Sequence, residues 1–115
     1  MNTKLGSFEN LQSEYQRLCA HLAKTGYISQ GTVLDRSTLR HPRSGFQWTR
    51  KLARKTMTVS LSQEQFTALR QAIDNRRRLQ KTIAQMERLS RRILFNTLPD
   101  TRRRKSLPIK VLGPI

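Results

Sequence analysis

The stretch from Leu61 to Leu98, LSQEQFTALRQAIDNRRRLQKTIAQMERLSRRILFNTL, constrains this chain more than any other. It holds no Gly or Pro, so nothing interrupts one helix of roughly 50 Å at about 1.5 Å per residue. Ser62 is placed to cap the helix, and Gln65, three residues on, completes a capping box. Leu61 and Phe66 flank the cap as a hydrophobic staple, and Glu64 puts a negative charge at the positive end of the helix dipole. Pro99 marks the stop.

The apolar positions of this helix are Phe66, Leu69, Ile73, Leu79, Ile83, Met86, Leu89 and Ile93. The step from Ile73 to Leu79 is one residue short of a heptad. At about 100° per residue, that turns the apolar face by roughly a quarter turn across Arg76–Arg78. A change of partner follows. The first half is expected on the sheet and the N-terminal helix. The second half, through Leu79, Ile83, Met86 and Ile93, is expected to meet a second copy of the chain or a larger protein.

Upstream, Phe8, Leu11, Tyr15, Leu18 and Leu22 form one stripe of an amphipathic helix over 7–25, with Ser7 as cap and Gly26 as left-handed stop. Cys19 sits beside the stripe as a small buried hydrophobe. Residues 27–36 are rich in β-branched and aromatic types and read as a strand; 37–45 form a polar loop around Pro42 and Gly45. Phe46–Lys51 alternates, Leu52–Lys55 turns, and Thr56–Leu61 alternates again with Met57, Val59 and Leu61 facing inward. The fold class is α+β: an N-terminal helix, a three-stranded antiparallel meander over 27–61, and one long basic helix over 62–98. Residues 1–98 read as a single small domain. Residues 99–115, with Pro99, Pro108, Gly113, Pro114 and the run Arg102–Lys105, read as a flexible basic arm.

Charge decides what such a chain meets. Lys and Arg number 23 against 7 Asp and Glu, a net charge of +16, and the apolar fraction is 36%. So small a core under so much self-repulsion calls for a polyanion. Arg70, Arg77, Lys81, Arg88 and Arg92 recur at intervals of 7, 4, 7 and 4. They fall within about 40° of one line along the helix, over about 33 Å, close to one turn of duplex DNA. A solvated face would mix signs, whereas residues 70–105 hold twelve cations against Asp74, Glu87 and Asp100. A second cluster, Arg36, Arg40, Arg43, Arg50, Lys51, Arg54 and Lys55, lies in the meander, where a two-stranded ribbon can enter a major groove. Arg102, Arg103, Arg104 and Lys105 add an arm suited to an adjacent minor groove. Phe46 and Trp48 admit two readings: core under the long helix, or stacking platform for single-stranded bases.

Nothing comparable supports catalysis. Glu64, Asp74 and Glu87 fall on different helix faces, and His21 and His41 have no partner at metal-ligand spacing. There is no phosphate-cradling glycine loop and no nucleophile motif, so neither an enzyme, a metal nor a cofactor is expected. One cysteine, no signal-peptide pattern and no membrane span point to the reducing cytoplasm.

Several segments together resemble a family of short, uncharacterised bacterial proteins catalogued as transposase-like or transposon-associated. The resemblance is carried by Gly31-Thr32-Val33, the aromatic-x-Trp-Thr-Arg-Lys strand at Phe46–Lys51, the turn Arg54–Thr56, the helix start Leu61–Gln65 and the segment Asn75–Leu79. It covers Ile28 to Ser90. Relatives often carry a cysteine-containing insertion between the first two strands; Ser37–Ser44 has no cysteine here, so no metal site is carried over. The resemblance implies a mobile-element setting and supplies no reaction. The expectation is a non-enzymatic DNA-binding protein, an accessory or regulatory factor of a mobile element. An RNA-binding subunit of a ribonucleoprotein and an adaptor docking on a transposase-like protein are the alternatives.

Overall fold

The computed structural model describes residues 3–98 and 107–113. Its elements run α1 (Thr3–Leu22), β1 (Thr32–Asp35), a 3-10 turn (Arg36–Thr38), β2 (Phe46–Leu52), β3 (Lys55–Leu61), α2 (Gln63–Thr97) and α3 (Ile109–Leu112). This is the expected α+β order. The single domain expected over 1–98 divides, however, into two compact units: Met1–Lys24 with Gln80–Ile115, and Thr25–Leu79. The boundary on α2 falls directly after the short step from Ile73 to Leu79. A quarter-turn in the apolar face is where one helix changes what it buries.

The sheet unit, Thr25–Leu79, is built on the start of α2. Ser62 N–H donates to Gln65 Oε1 (2.9 Å) and Gln65 N–H donates to Ser62 Oγ (3.1 Å), the reciprocal pair a capping box requires. The three strands form an antiparallel meander in the order β1-β2-β3. Val33 pairs with Trp48 and Trp48 with Val59; Phe46 pairs with Leu61 and Arg50 with Met57. These residues therefore share one face of the sheet. At one end of that face the Phe46 ring stacks on Phe66 of α2, 4.5 Å between centroids, and Ala72 and Ile73 are buried.

Two strand expectations change. Residues 27–31 are not strand. Their hydrogen bonds go elsewhere: Ser29 N–H to Ala72 O (3.2 Å), Asn75 Nδ2 to Tyr27 O (2.9 Å), and Trp48 Nε1 to Gln30 O (3.0 Å). A peptide tied to a helix and an indole has no ladder to join. Gly31, at φ +109, makes the turn into β1; a Cβ there would run into the Trp48 indole and lie 2.8 Å from Thr49 O. The second change is on β3, where Met57 and Val59 do not face a core. Each is nearly half exposed, because the stacked ring of Phe66 meets the sheet at Phe46, the opposite end of β2 from Arg50.

The strands β2 and β3 are joined by Ala53 and Arg54, at φ +49 and +68. Positive φ at both positions is the type I′ hairpin turn, normally filled by Asn-Gly. A non-glycine residue in this region costs about 1–2 kcal/mol. Composition gave no sign that Ala-Arg would adopt it.

The helical unit contains α1, the second half of α2 and α3. Ser7, expected as a cap, lies inside α1, which starts at Thr3. Leu18, Leu89 and Leu112 are its buried residues, and Leu89 is enclosed almost completely. Leu89 of the second half of α2 is thus buried within the chain, while Ile83 stays 42% exposed. Tyr15 and Leu22 of α1 line one open cleft together with Ile83 and Met86, the residues assigned to self-association. Ile93 lines another with Tyr15, Gln12 and Leu94. α1 falls in the same compact unit as this half of α2.

The tail also departs from expectation. Pro108 precedes a single helical turn, and Leu112 is buried in the helical unit. Arg91 Nε donates to Leu112 O, and Arg92 Nη2 donates to Gly113 O (2.9 Å). Residues 107–113 are therefore held against α2 rather than free; Arg102–Lys105 lie outside the described residues. Leu112→Ala should destabilise the chain by about 2 kcal/mol, the low end for a buried leucine because the site is peripheral. Thermal melting checks this: an unchanged midpoint would mean that the tail contributes no packing.

Candidate nucleic-acid interface

The cations expected to bind nucleic acid separate into two groups, those engaged within the chain and those left outward. Arg36 belongs to the first. Asp35 caps the 3-10 turn, accepting from Ser37 N–H (3.0 Å) and Ser37 Oγ (2.7 Å). Those bonds hold the Asp35 carboxyl below the usual carboxylate range. The cap's contribution is therefore complete at neutral pH and lost only as pH falls through that lowered value. The turn aims Arg36 across the sheet, where Nε donates to Gln47 Oε1 (3.2 Å) and Nη2 to Ser60 Oγ (2.9 Å). Arg36 N–H donates to Gly45 O (3.0 Å) and Arg43 N–H to Arg36 O (3.2 Å), closing the loop. Arg36 is a strut of the sheet, not a free charge.

Arg40 and Arg43 are exposed on that loop, and Lys51, Arg54 and Lys55 are exposed on the β2–β3 hairpin. Arg50 is half-buried, its guanidinium 5.8 Å from the centre of the Trp48 ring, a cation–π contact. Among the described residues none of these six cations has a carboxylate within salt-bridge distance. The ion pairs lie elsewhere. Arg17 binds Glu14 on α1, lowering that carboxyl's pKa, and Arg77 Nη1 stands 3.8 Å from Asp74 Oδ1.

On α2 the stripe of five is broken. Arg70, Arg77 and Lys81 are exposed. Arg88 and Arg92 are half-buried, Arg92 donating to Gly113 O while a Cβ on Gly113 would lie 3.3 Å from Arg88 Cγ. The even spacing placed all five on one line, but the line passes under the C-terminal turn. Arg91, absent from the expected set, shares this role. Its signal was the pair of adjacent arginines at 91–92 beside the apolar Leu107–Leu112 segment.

Phe46 meets the long helix, and Trp48 is engaged within the sheet unit. Phe46 is stacked on Phe66; Trp48 is half-buried, spends its N–H on Gln30 O and carries Arg50 over its ring. The apolar residues left outward on the hairpin are instead Leu52, Met57 and Val59. Asn75, unremarked by spacing alone, anchors the loop before β1 and accepts from Gln71 Nε2 (2.8 Å) and from Arg78.

Among the described residues no three His, Cys, Asp or Glu side chains are placed to hold a metal ion, and Cys19 is a half-buried free thiol. No described helix is long and apolar enough to cross a membrane. Compared with protein-family models, curated proteins and solved structures, the chain matches none.

The chain has one tryptophan, so its emission reports Trp48 alone. Adding a single-stranded oligonucleotide should leave that emission nearly unchanged. Strong quenching would mean that bases stack on the indole and that the ring is not held as core.

Proposed function

We propose that this chain is a non-enzymatic DNA-binding protein whose contact surface is centred on the β2–β3 hairpin and the loop after the 3-10 turn. One observation carries the reading: Arg50, Lys51, Arg54 and Lys55 crowd the end of one hairpin, Arg40 and Arg43 stand on the loop at the other end of β2, and among the described residues none of the six has a carboxylate within salt-bridge distance. Cations so placed repel one another, and phosphates relieve the repulsion while releasing their counterions. Exposed Arg70, Arg77 and Lys81 extend the supply of positive charge along α2. A role as accessory or regulator of a mobile element rests on the sequence resemblance alone.

Engagement of Phe46 and Trp48 within the fold favours duplex DNA over single-stranded RNA. A second reading, docking on a larger protein, is favoured by Leu94, Phe95 and Leu98, which are exposed at the end of α2. That association would persist at high salt, whereas phosphate binding would not.

The test is a salt titration with duplex DNA and with structured RNA. Each phosphate contact contributes a slope of about −0.9 in log affinity against log salt. Replacing Arg50, Lys51 and Lys55 together by Gln should make the slope shallower by about 2–3. An unchanged slope, or tighter binding to RNA at equal salt, would contradict the assignment.

A further inference from the structure

The end of the hairpin stands apart from the rest of the sheet. β1 pairs with Phe46–Thr49 of β2, so from Arg50 to Met57 the sheet is a ribbon of two strands. At about 3.3 Å per residue this free arm extends roughly 10 Å. A B-DNA major groove is about 12 Å wide and about 8.5 Å deep, and it admits a two-stranded ribbon. The arm carries cations on both of its faces: Arg50 pairs with Met57 and Leu52 with Lys55 on one, Lys51 with Thr56 on the other.

Two features of the arm are unfavourable for the free protein. Leu52 and Met57 are 49% and 47% exposed, apolar side chains among cations, and Val59 beyond the arm continues their row at 45%. Arg54 sits at φ +68, where glycine or asparagine would rest without strain, and so displays a guanidinium at the tip. Both are explained by a ligand that offers acceptors, methyl groups and negative charge together. A base-pair edge flanked by phosphates does so.

Resting on the DNA-binding reading above, we propose that the arm from Arg50 to Met57 reads bases in the major groove of duplex DNA. Arg54 donates to guanine O6 and N7, and Leu52 and Met57 pack on thymine methyls and sugars. The remaining hairpin cations, Arg50, Lys51 and Lys55, contact the flanking phosphates.

The experiment starts by letting the wild-type protein select duplexes from a random-sequence pool. The selected duplex is then compared with one in which guanine is replaced by its analogue lacking N7, which alters the major groove alone. The wild type should bind the analogue about five- to tenfold more weakly. Arg54→Gly should bind both duplexes equally and melt about 4–8 °C higher, because the strain at the turn is relieved. Ala53→Gly relieves similar strain and should keep the discrimination. The proposal is overturned if DNA is bound but no sequence is enriched, if Arg54→Gly discriminates as the wild type does, or if separated strands bind better than the duplex. A wild type that binds no DNA at all overturns the broader reading instead.

Discussion

Sixteen net positive charges must be held together by very little apolar packing. Among the described residues the buried positions are Leu18, Leu89 and Leu112 in the helical unit, and Ala72 and Ile73 in the sheet unit. Each folded unit is therefore a compromise between a small core and mutual repulsion. The structure answers by spending part of its positive charge on hydrogen bonds within the chain. Arg36 ties Gln47 to Ser60, Arg78 binds Asn75, and Arg91 and Arg92 hold the last carbonyls of the C-terminal turn. Arginine suits this use: its planar fork keeps its charge and donates in several directions at once.

What remains outward is concentrated rather than spread. The end of the hairpin keeps four cations together, with Arg40 and Arg43 at the far end of β2, while the ion pairs of α1 and α2 lie at Glu14 and Asp74. Weak surface pairs such as Arg77–Asp74 contribute at most about 1 kcal/mol, so they do little to neutralise the molecule. The proposed nucleic-acid partner would supply the counter-charge. The hairpin's exposed leucine, methionine and valine then have a use that bare electrostatics would not give them.

Much of the fold was legible in the sequence because local rules acted alone there. The Ser62–Gln65 box, the uninterrupted helix, the alternation of β2 and β3 and the phase step after Ile73 each have a direct physical cause. The misreadings arose where distant groups competed. Tyr27 and Ile28 have strand-like types, yet their segment is claimed by Asn75 and Ala72. The stripe on α1 records that a face is buried but not by what; α1 falls in one unit with the second half of α2. The candidate site was half legible. Spacing put Arg88 and Arg92 on the same line as Arg70, Arg77 and Lys81, but could not show that Leu112 and Gly113 lie over the end of it. Nor does any turn rule single out Ala53-Arg54, whose conformation is imposed by the pairing of the strands on either side.

The claim at the centre of this account is that the unpaired cations form a nucleic-acid surface whose occupation relieves the folded chain. Melting the full chain alone, with duplex DNA, and with polyglutamate at matched charge tests it directly. A ligand that binds the native state raises the midpoint in proportion to its occupancy. Duplex DNA should raise it clearly at low salt, the rise should shrink as salt increases, and polyglutamate should produce a smaller one. A midpoint indifferent to DNA, or raised equally by polyglutamate, would contradict the account.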